Sequence, residues 1–520
     1  MSSSRRKADL KVGLYQLSIA FHLGRGRRSR RPVIVGAFLV VAVVGVFGQA
    51  PNLREAVRSG NAQAVQTLLK KRVNVNEADA DGTTALHWAV RGNDIEMVRA
   101  LLRAGANANA ANAYGLTPLF LAATTGNAAI TEALLAAKAD PTRTASRGQT
   151  PLMTAARAGN TATVKALLDR GAKVDAREEV LGEQALMWAA SENHAEVVTL
   201  LLARGADVNA RSNALKFPRD SFGLEGVQTA LPKGDWPALM YAARDGAPDA
   251  ARALARGGAD VNALDPEGTT ALVRAIINFH YDTAVVLLEE GANPNLADGS
   301  GMAALYAAVD MSSLGEIYGR PPRPNTDKHS VLDLIEKLIA RGADVNARLK
   351  RATLMRNHTP GEGSLGDGAT PLMRAAKNGD YRAVEILLKH GADVSLKQRQ
   401  GATALLFASG FSRGTSAFAE DVGTEADLFK AVQLLVENGS DVKVTNDAGG
   451  TVMHFAAQSG LNSVVKYLAA KGAPLDQKDK QGRTPVDAAN GVGGRGRAGG
   501  PPIIHKDTAA LIQQLIAQPK

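Results

Sequence analysis

Apolar residues recur along this chain in a short pattern that repeats about every 33 residues. The segment Gly82–Ala89 is followed 33 residues later by Gly115–Ala122, and 33 residues further on by Gly148–Ala155. Each copy continues into a second apolar stretch, which contains a leucine pair such as Leu167 and Leu168 and is followed by a glycine turn. A fixed period of this length is the signature of a repeat protein, and two apolar stretches per period predict two helices.

One repeat shows how the sequence specifies its first helix. Thr150 is suited to cap the N-terminus, and Pro151 fits the first helical position because its missing N–H has no intrahelical partner there. Leu152 and Ala155 lie three residues apart, which places them on one apolar face of the helix. Gly159 marks the end of this helix, since glycine readily takes the left-handed conformation that follows many helices.

The second helix of the same repeat is predicted from Val164, Leu167 and Leu168, which share one face, and Gly171 ends it. Neither helix can bury its apolar face alone, so neighbouring pairs must stack on one another. The sequence therefore predicts an all-α solenoid of stacked helix-turn-helix units.

The recurring motifs resemble those of the ankyrin-repeat family. They are Gly-x-Thr-Pro-Leu-x-x-Ala-Ala-x-x-Gly, as in Gly148–Gly159, and Leu-Leu-x-x-Gly-Ala-Asp-Val-Asn, as in Leu201–Asn209. The resemblance implies an ankyrin-repeat solenoid over residues 51–520, with about twelve repeats including caps. Leu53–Asn76 resembles an N-terminal cap that lacks its turn. Further units begin at Gly182, Pro237, Gly268, Gly301, Gly368, Gly401, Gly450 and Gly482.

Positive charge is concentrated at the N-terminus. The chain has 520 residues, with 61 basic and 51 acidic side chains and a net charge of +10. Residues 1–31 hold nine of the basic side chains and one acidic one, Asp9, so the remaining chain has a net charge of +2. Binding of nucleic acid depends on a strong positive field, which a body so close to neutral does not produce. No nucleic-acid partner is therefore expected.

Residues 1–50 form a basic leader that ends in a hydrophobic segment. The 16 residues 33–48 are uncharged and apolar or small, and as a helix they extend about 24 Å, short of the bilayer core of about 30 Å. This length suits a signal peptide with a cleavage site at Gly48–Ala50, whereas the long charged region and Pro51 suit an uncleaved signal anchor. Both alternatives export the array, which then contacts a membrane only through residues 33–48.

The route of export stays open. Arg30 and Arg31 match part of a twin-arginine export signal, but the ordinary charge of a leader accounts for them better. The chain has no cysteine, which excludes a disulfide framework. Together with the leader, this composition predicts a bacterial protein that is periplasmic or otherwise exported, free or anchored to the inner membrane.

Loop insertions interrupt the period at 211–236, 312–330, 348–367, 411–425 and 491–502. The first and third extend the turns between repeats (finger loops), while the others separate the two helices of one unit. Insertions in repeat proteins often lie on the binding face. An equally weighted alternative is that they are tolerated solvated loops, because loop-closure entropy grows slowly with length. The finger-loop insertions carry the aromatic and basic candidates for partner binding: Lys216, Phe217, Arg219, Phe222, Trp236, Arg348, Lys350, Arg351 and Arg356.

Motifs that could mark a cofactor or metal site are not supported by their context. Gly491–Gly496 matches the dinucleotide-binding pattern Gly-x-Gly-x-x-Gly, but it lies between two short helices and does not follow a strand. Asp79–Gly82 resembles part of a calcium loop, yet Trp88 stands where the bidentate glutamate belongs. No catalytic residue, cofactor or metal is predicted, and the protein is expected not to be an enzyme.

His87 and His454 occupy one equivalent position in their repeats. The resemblance to the ankyrin-repeat family implies that a histidine here is structural and forms a hydrogen bond between adjacent loops. Four aspartates also recur at one point of their repeats and are interpreted as turn residues: Asp207, Asp260, Asp344 and Asp393.

These observations predict a non-enzymatic interaction scaffold of the bacterial cell envelope. It is expected to be a monomeric array that binds an unidentified protein partner through the concave face and the finger loops. One alternative is a secreted effector that acts on a partner in another cell. Another is an enzyme with a site in the insertions, where His358 and Glu362 are the residues to test.

Overall fold

The computed structural model describes residues 52–214, 234–312, 326–353, 365–413, 423–493 and 501–518. Within these ranges, twenty-four α-helices follow one another in twelve consecutive pairs, and the only β-structure consists of isolated bridges. The prediction of an all-α ankyrin-repeat solenoid with about twelve units is confirmed. The helices are α1 Leu53–Arg58, α2 Ala62–Lys70, α3 Ala85–Arg91, α4 Ile95–Arg103, α5 Pro118–Thr125, α6 Ala128–Ala136, α7 Pro151–Arg157, α8 Thr161–Asp169, α9 Ala185–Ser191, α10 Ala195–Ala203, α11 Ala238–Asp245, α12 Pro248–Arg256, α13 Ala271–Ile277, α14 Tyr281–Glu289, α15 Ala304–Ser312, α16 Val331–Ala340, α17 Pro371–Lys377, α18 Tyr381–Lys389, α19 Ala404–Ala408, α20 Glu425–Glu437, α21 Val452–Gln458, α22 Asn462–Ala470, α23 Pro485–Ala489 and α24 Lys506–Ala517.

The first helix of a pair begins at a cap and buries a face of small and apolar side chains. Before α7, the Thr150 hydroxyl accepts a hydrogen bond from the backbone N–H of Met153 at 3.2 Å. Leu152 and Ala155 are buried, and Gly159 follows the helix with a φ of +73°. The cap, the buried face and the terminating glycine agree with the sequence prediction.

The second helix carries a narrower buried stripe. Before α8, the Asn160 side chain accepts a hydrogen bond from the N–H of Thr163 at 2.8 Å. Val164 and Leu167 are fully buried, whereas Leu168 is half-buried. First helices pack against the first helices of neighbouring pairs, and second helices pack against second helices. Each pair therefore completes its core only together with its neighbours.

A ladder of hydrogen bonds fixes the spacing of consecutive repeats. The Asn109 side chain accepts from the backbone N–H of Asp140 at 2.7 Å and donates to the carbonyl of Lys138 at 2.9 Å. Asn209 accepts in the same way from the N–H of Asp260 at 2.9 Å. The contact recurs in the pairs Asn76–Asn107, Asn262–Asn293, Asn295–Asp344 and Asn346–Asp393. The turn aspartates each accept a bond from the backbone two residues further on, as predicted: Asp207, Asp260, Asp344 and Asp393.

The described ends of the first finger-loop insertion lie side by side. Arg211 pairs with Pro237, and Ala214 pairs with Gly234, as antiparallel bridges. The intervening residues 215–233 lie outside the described ranges. The two ends of the insertion therefore meet directly before α11.

One hydrophobic cluster extends from Leu53 in α1 to Ile512 in α24. Alanines of the first helices, such as Ala122 and Ala189, are completely buried in it. Their small side chains let adjacent first helices approach closely, as the abundance of alanine in the sequence suggests. The repeats belong to one compact unit, Pro51–Lys520.

Candidate interaction surface

Several predicted features lie outside the described residues, and their roles stay predictions. They are the segment 33–48, the contact candidates Lys216, Phe217, Arg219, Phe222 and Arg356, and the candidates His358 and Glu362 of the enzymatic alternative. Within the described ranges, no helix is long and apolar enough to cross a bilayer.

Trp236 is a core residue, so the expectation that it is an exposed anchor is wrong. Only 3% of its surface is exposed. Its ring packs edge-on against Tyr241 with centroids 5.6 Å apart, and the guanidinium of Arg274 lies 4.1 Å from its centroid. The backbone carbonyl of Trp236 accepts from the N–H of Ser212 at 3.0 Å directly before α11. The bond pairs the two ends of the insertion, and the burial of the Trp236 ring assigns this residue to the repeat core.

The other described contact candidates are exposed, as their proposed role requires. Arg348, Lys350 and Arg351 lie in the turn that follows α16. The N–H of Lys350 donates to the carbonyl of Ser300 at 2.8 Å, and the Arg348 guanidinium donates to the carbonyl of Lys397 at 2.5 Å. These bonds connect the turn to the preceding and the following repeat. The binding role of the three side chains stays a prediction.

A row of aromatic and arginine side chains, which the sequence analysis missed, lies on the first helices α3, α7, α9 and α11, whereas α5 carries Leu121 and Thr124 at the same positions. These residues occupy the fourth or seventh position of their helices. Positions three apart share one face of a helix, and successive first helices stack on one another, so the row follows one side of the array. We call it the aromatic–arginine row: Trp88, Arg91, Arg157, Trp188, Tyr241 and Arg244.

Trp88 is held in place by polar neighbours while part of its ring stays accessible. The residue is half-buried, and its indole N–H donates to the carboxylate of Asp79 at 3.0 Å. The guanidinium groups of Arg58 and Arg91 lie 5.7 and 5.5 Å from the ring centroid. Both distances are within the range of a cation–π attraction. The ring is therefore oriented before any partner arrives.

Trp188 repeats this arrangement in α9. Its indole N–H donates to the carboxylate of Glu183 at 2.8 Å, and the guanidinium of Arg157 lies 5.7 Å from its ring centroid. In α11, the guanidinium of Arg244 lies 5.0 Å from the ring centroid of Tyr241. Burial raises the pKa of the Tyr241 hydroxyl well above its ordinary value.

The same positions of later first helices carry buried ion pairs. Asp310 in α15 and Arg374 in α17 are each 5% exposed, and Arg374 Nε donates to Asp310 Oδ1 at 2.5 Å. In α13, Arg274 pairs with the buried carboxylate of Asp265. Buried ion pairs belong to the core, and so does Tyr241, which is only 5% exposed. The accessible part of the aromatic–arginine row is therefore Trp88, Arg91, Arg157, Trp188 and Arg244.

His87 and His454 connect adjacent repeats, as the family resemblance implies. His87 Nδ1 accepts from the backbone N–H of Thr84 at 3.1 Å, and His87 Nε2 donates to the carbonyl of Leu116 at 3.0 Å. His454 Nε2 makes the equivalent bond to Arg483 at 2.8 Å. Burial lowers the pKa of both imidazoles because it penalises their charged form. In the described part of the chain, no group of three or more His, Asp or Glu side chains could hold a metal ion.

Comparison with known proteins relates the array to one repeat family. A family model described as ankyrin repeats (3 copies) matches residues 53–145, 137–212, 223–314, 327–417 and 423–493. The sequence is 32% identical over 198 residues to the mitochondrial disaggregase of Bos taurus, covering 36% of this chain. It is 31% identical over 167 residues to a B-cell lymphoma 3 protein homolog of Mus musculus, covering 31% of this chain.

These similarities cover parts of longer proteins. The chain spans 25% of the length of the bovine relative and 30% of that of the mouse relative. Among solved structures, the ankyrin repeat domain of human ASB11 has a TM-score of 0.37 and 25% identity, covering 46% of this chain and 98% of that domain.

Proposed function

This chain belongs to the ankyrin-repeat family, and we propose on that premise that it is a non-enzymatic scaffold that binds a protein partner. Ankyrin repeats serve as scaffolds for protein–protein interaction and are typically not enzymes. The observation that most directly supports the proposal is the aromatic–arginine row. Trp, Tyr and Arg are the residues that most often dominate the binding energy of protein interfaces.

The row is suited to binding because its side chains are positioned in the free protein. Asp79 and Glu183 each accept a hydrogen bond from a tryptophan of the row, Trp88 and Trp188 respectively. Little side-chain freedom is then left to lose when a partner covers these rings, and smaller ordering costs favour tighter binding. The proposed contact surface comprises the accessible part of this row and the exposed finger turns.

Affinity capture from envelope extract tests the proposal with two charge-matched variants. The first combines Arg91→Glu and Arg157→Glu in the row. The control combines Arg99→Glu and Arg103→Glu, which are exposed on the second helix α4 and change the net charge equally. A protein retained by the wild type and the control, but lost by the row variant, supports the proposal. Equal recovery with all three proteins contradicts it.

We propose further that the array acts outside the cytoplasm, in the bacterial cell envelope. Support comes from the basic residues 1–31 and the apolar segment 33–48, an arrangement typical of export signals. A fusion of residues 1–60 to alkaline phosphatase is expected to be active in the periplasm. Retention of the fusion in the cytoplasm contradicts export, whereas recovery of the full protein from culture supernatant favours the secreted-effector alternative.

A further inference from the structure

Five exposed basic side chains lie on the turns of two adjacent repeats. Three of them follow α16 and two follow α18. The body of the chain beyond the leader is nearly neutral, so this grouping is a local feature and not a consequence of overall charge. We call it the basic turn patch: Arg348, Lys350, Arg351, Lys397 and Arg399.

Glycines in the neighbouring backbone make room for two of these guanidinium groups. A Cβ atom at Gly299 would lie 2.9 Å from Arg351 Nη2, and a Cβ atom at Gly368 would lie 2.9 Å from Arg348 Nη2. Gly368 also has a φ of +80°, which favours glycine. The arginines therefore lie close against the backbone, and the Arg348–Lys397 hydrogen bond joins the two turns.

Among the residues that the structure describes, the charged groups of the basic turn patch have no carboxylate partner. None of its five side chains has a carboxylate within 4.0 Å in the described ranges. Asp367 is exposed nearby, but it contacts Arg399 only through its backbone carbonyl, which accepts from the N–H of Arg399 at 2.8 Å. With Asp367 included, the group keeps a net charge of +4.

One turn of the patch lacks a carboxylate that three other repeats have. In those three repeats, the third residue before the turn glycine is an aspartate that pairs with an arginine, while Asn112, Ala145 and Asn446 occupy this position elsewhere. In the repeat that begins at Gly401, this position is Gln398, whose side chain accepts from the N–H of Gln400 at 2.6 Å. Gln398 thus makes the turn hydrogen bond without contributing a negative charge. The compensated pairs elsewhere are Asp79–Arg54, Asp265–Arg274 and Asp479–Arg483.

We propose that the basic turn patch binds an acidic segment of a protein partner, an inference that rests on the protein-binding function proposed above. Exposed charges of one sign attract a complementary partner and set its orientation. A polypeptide fits better than a nucleic acid, because the patch covers only two turns.

Fluorescence anisotropy with labelled poly-L-glutamate and the full-length protein tests this proposal. The patch variant combines Lys350→Glu, Arg351→Glu and Arg399→Glu. It is expected to bind the probe about tenfold more weakly or worse, because each exposed ion pair contributes up to about fivefold in affinity. The binding of the wild type should also weaken as salt rises from about 0.05 M to about 0.3 M. The control combines Lys70→Glu, Lys71→Glu and Arg103→Glu, which lie on other exposed surfaces and should bind like the wild type.

A single substitution at Gln398 provides a second test that keeps the turn intact. Gln398→Glu retains an oxygen that can accept from the N–H of Gln400, and it adds a negative charge between Lys397 and Arg399. Circular dichroism should match the wild type, while binding of poly-L-glutamate should weaken severalfold. Unchanged binding by this variant, together with unchanged binding by the patch variant, overturns the proposal.

Two further outcomes also overturn it. If the patch variant and its control lose the same amount of affinity for poly-L-glutamate, binding depends only on the net charge of the protein. Tighter binding of a single-stranded oligonucleotide of equal charge shows that the patch recognises a polyphosphate. Suppose that poly-L-glutamate does not bind to the patch, while Arg91→Glu with Arg157→Glu still abolishes capture of a partner. The inference about the patch is then wrong and the proposed function stands. If those row substitutions also leave capture unchanged, the proposed contact surface is wrong as well.

Discussion

The three tryptophans differ in the burial of their rings and in the partners of their indole N–H groups. Trp88 and Trp188 are half-buried and donate to carboxylates. Trp236 is buried, and its indole N–H has no hydrogen-bond partner among the described residues. A half-buried ring with a fixed orientation can contact a partner, whereas the ring of Trp236 stabilises the stack of first helices.

Substitution of Trp236 should therefore affect stability and not binding. Trp236→Ala leaves a cavity and is expected to lower the free energy of unfolding by about 3–5 kcal/mol. Trp236→Phe should cost less, because it keeps an aromatic ring beside Tyr241 and Arg274 and removes a donor that has no partner. Urea unfolding measures both effects. The assignment of Trp236 to the core is contradicted if Trp236→Ala lowers the free energy of unfolding only slightly. It is also contradicted if Trp236→Phe folds but no longer captures the partner.

The buried histidines should make stability depend on pH. The pKa of His87 and His454 lies below the ordinary value of about 6.5, mainly because of burial. The unfolded chain then binds protons more readily than the folded one, so their stabilisation is present above about pH 6.5 and is lost as pH falls towards the folded pKa values. A proton on His87 Nδ1 would also face the N–H of Thr84. We expect the urea midpoint to decrease below about pH 6.5.

A double variant separates this effect from acid titration elsewhere. Met153 occupies the equivalent position in α7 and is fully buried, so His87→Met with His454→Met fits a side chain that the repeat already uses. The decrease in urea midpoint between about pH 6.5 and about pH 5 should become smaller in this variant. If the urea midpoint of the variant decreases as much as that of the wild type, other titrating groups cause the decrease.

The sequence predicted residue roles well where the signal was local. Thr150 as a cap and Gly159 as a helix end depend only on neighbours a few residues away. Trp236 was assigned wrongly because the repeat period locates an insertion without showing where the chain rejoins the core. Trp88 and Trp188 did recur four residues into their helices, and this repetition was the signal that could have revealed the row.

At the scale of elements, the asparagine ladder connects the turns of consecutive helix pairs. Asn109→Ala removes bonds to Asp140 and Lys138 in the next repeat. A hydrogen bond contributes about 0.5–1.5 kcal/mol, so the free energy of unfolding should fall by about 1–2 kcal/mol. Gln66→Ala, at an exposed position of α2, serves as a control that should change little. Equal stability of the two variants in urea argues against a role for the ladder.

The elements themselves were largely predictable, and their contacts were less so. Periodicity gave twelve helix pairs because each pair repeats the same caps and apolar spacing. The buried pair Asp310–Arg374 was not foreseen, since its members are 64 residues apart and two insertions lie between them. Long-range pairs of this kind leave no periodic trace in a single sequence.

At the scale of the whole array, stability should vary along the chain. In a repeat protein each unit contacts only its neighbours, and a terminal unit lacks one of them. The terminal helix α2 buries only Val65, whereas the central helix α14 buries seven of its nine residues. Native-state hydrogen exchange should therefore be faster in α1 and α2 than in α13 and α14. Uniform protection along the array would contradict this.

At the same scale, the net charge of the molecule does not show how its charges are distributed along the chain. The net charge of +10 comes mainly from the leader, while the remaining chain is almost neutral. Within that nearly neutral body, the basic turn patch places five exposed basic side chains on two adjacent turns, and none of them has a carboxylate partner among the described residues. This distribution gives the array one region suited to an acidic partner and argues against a general attraction for polyanions.

Photo-crosslinking in cells tests the central claim most directly. A photoreactive amino acid is placed in the full-length protein at position 91 or 157, in the aromatic–arginine row, or at position 99 on the second helix α4. Adducts with one protein at positions 91 and 157, and none at position 99, are the predicted result. Adducts only at position 99, or none at the two positions of the row, would contradict the claim that this array binds a protein partner through its first helices.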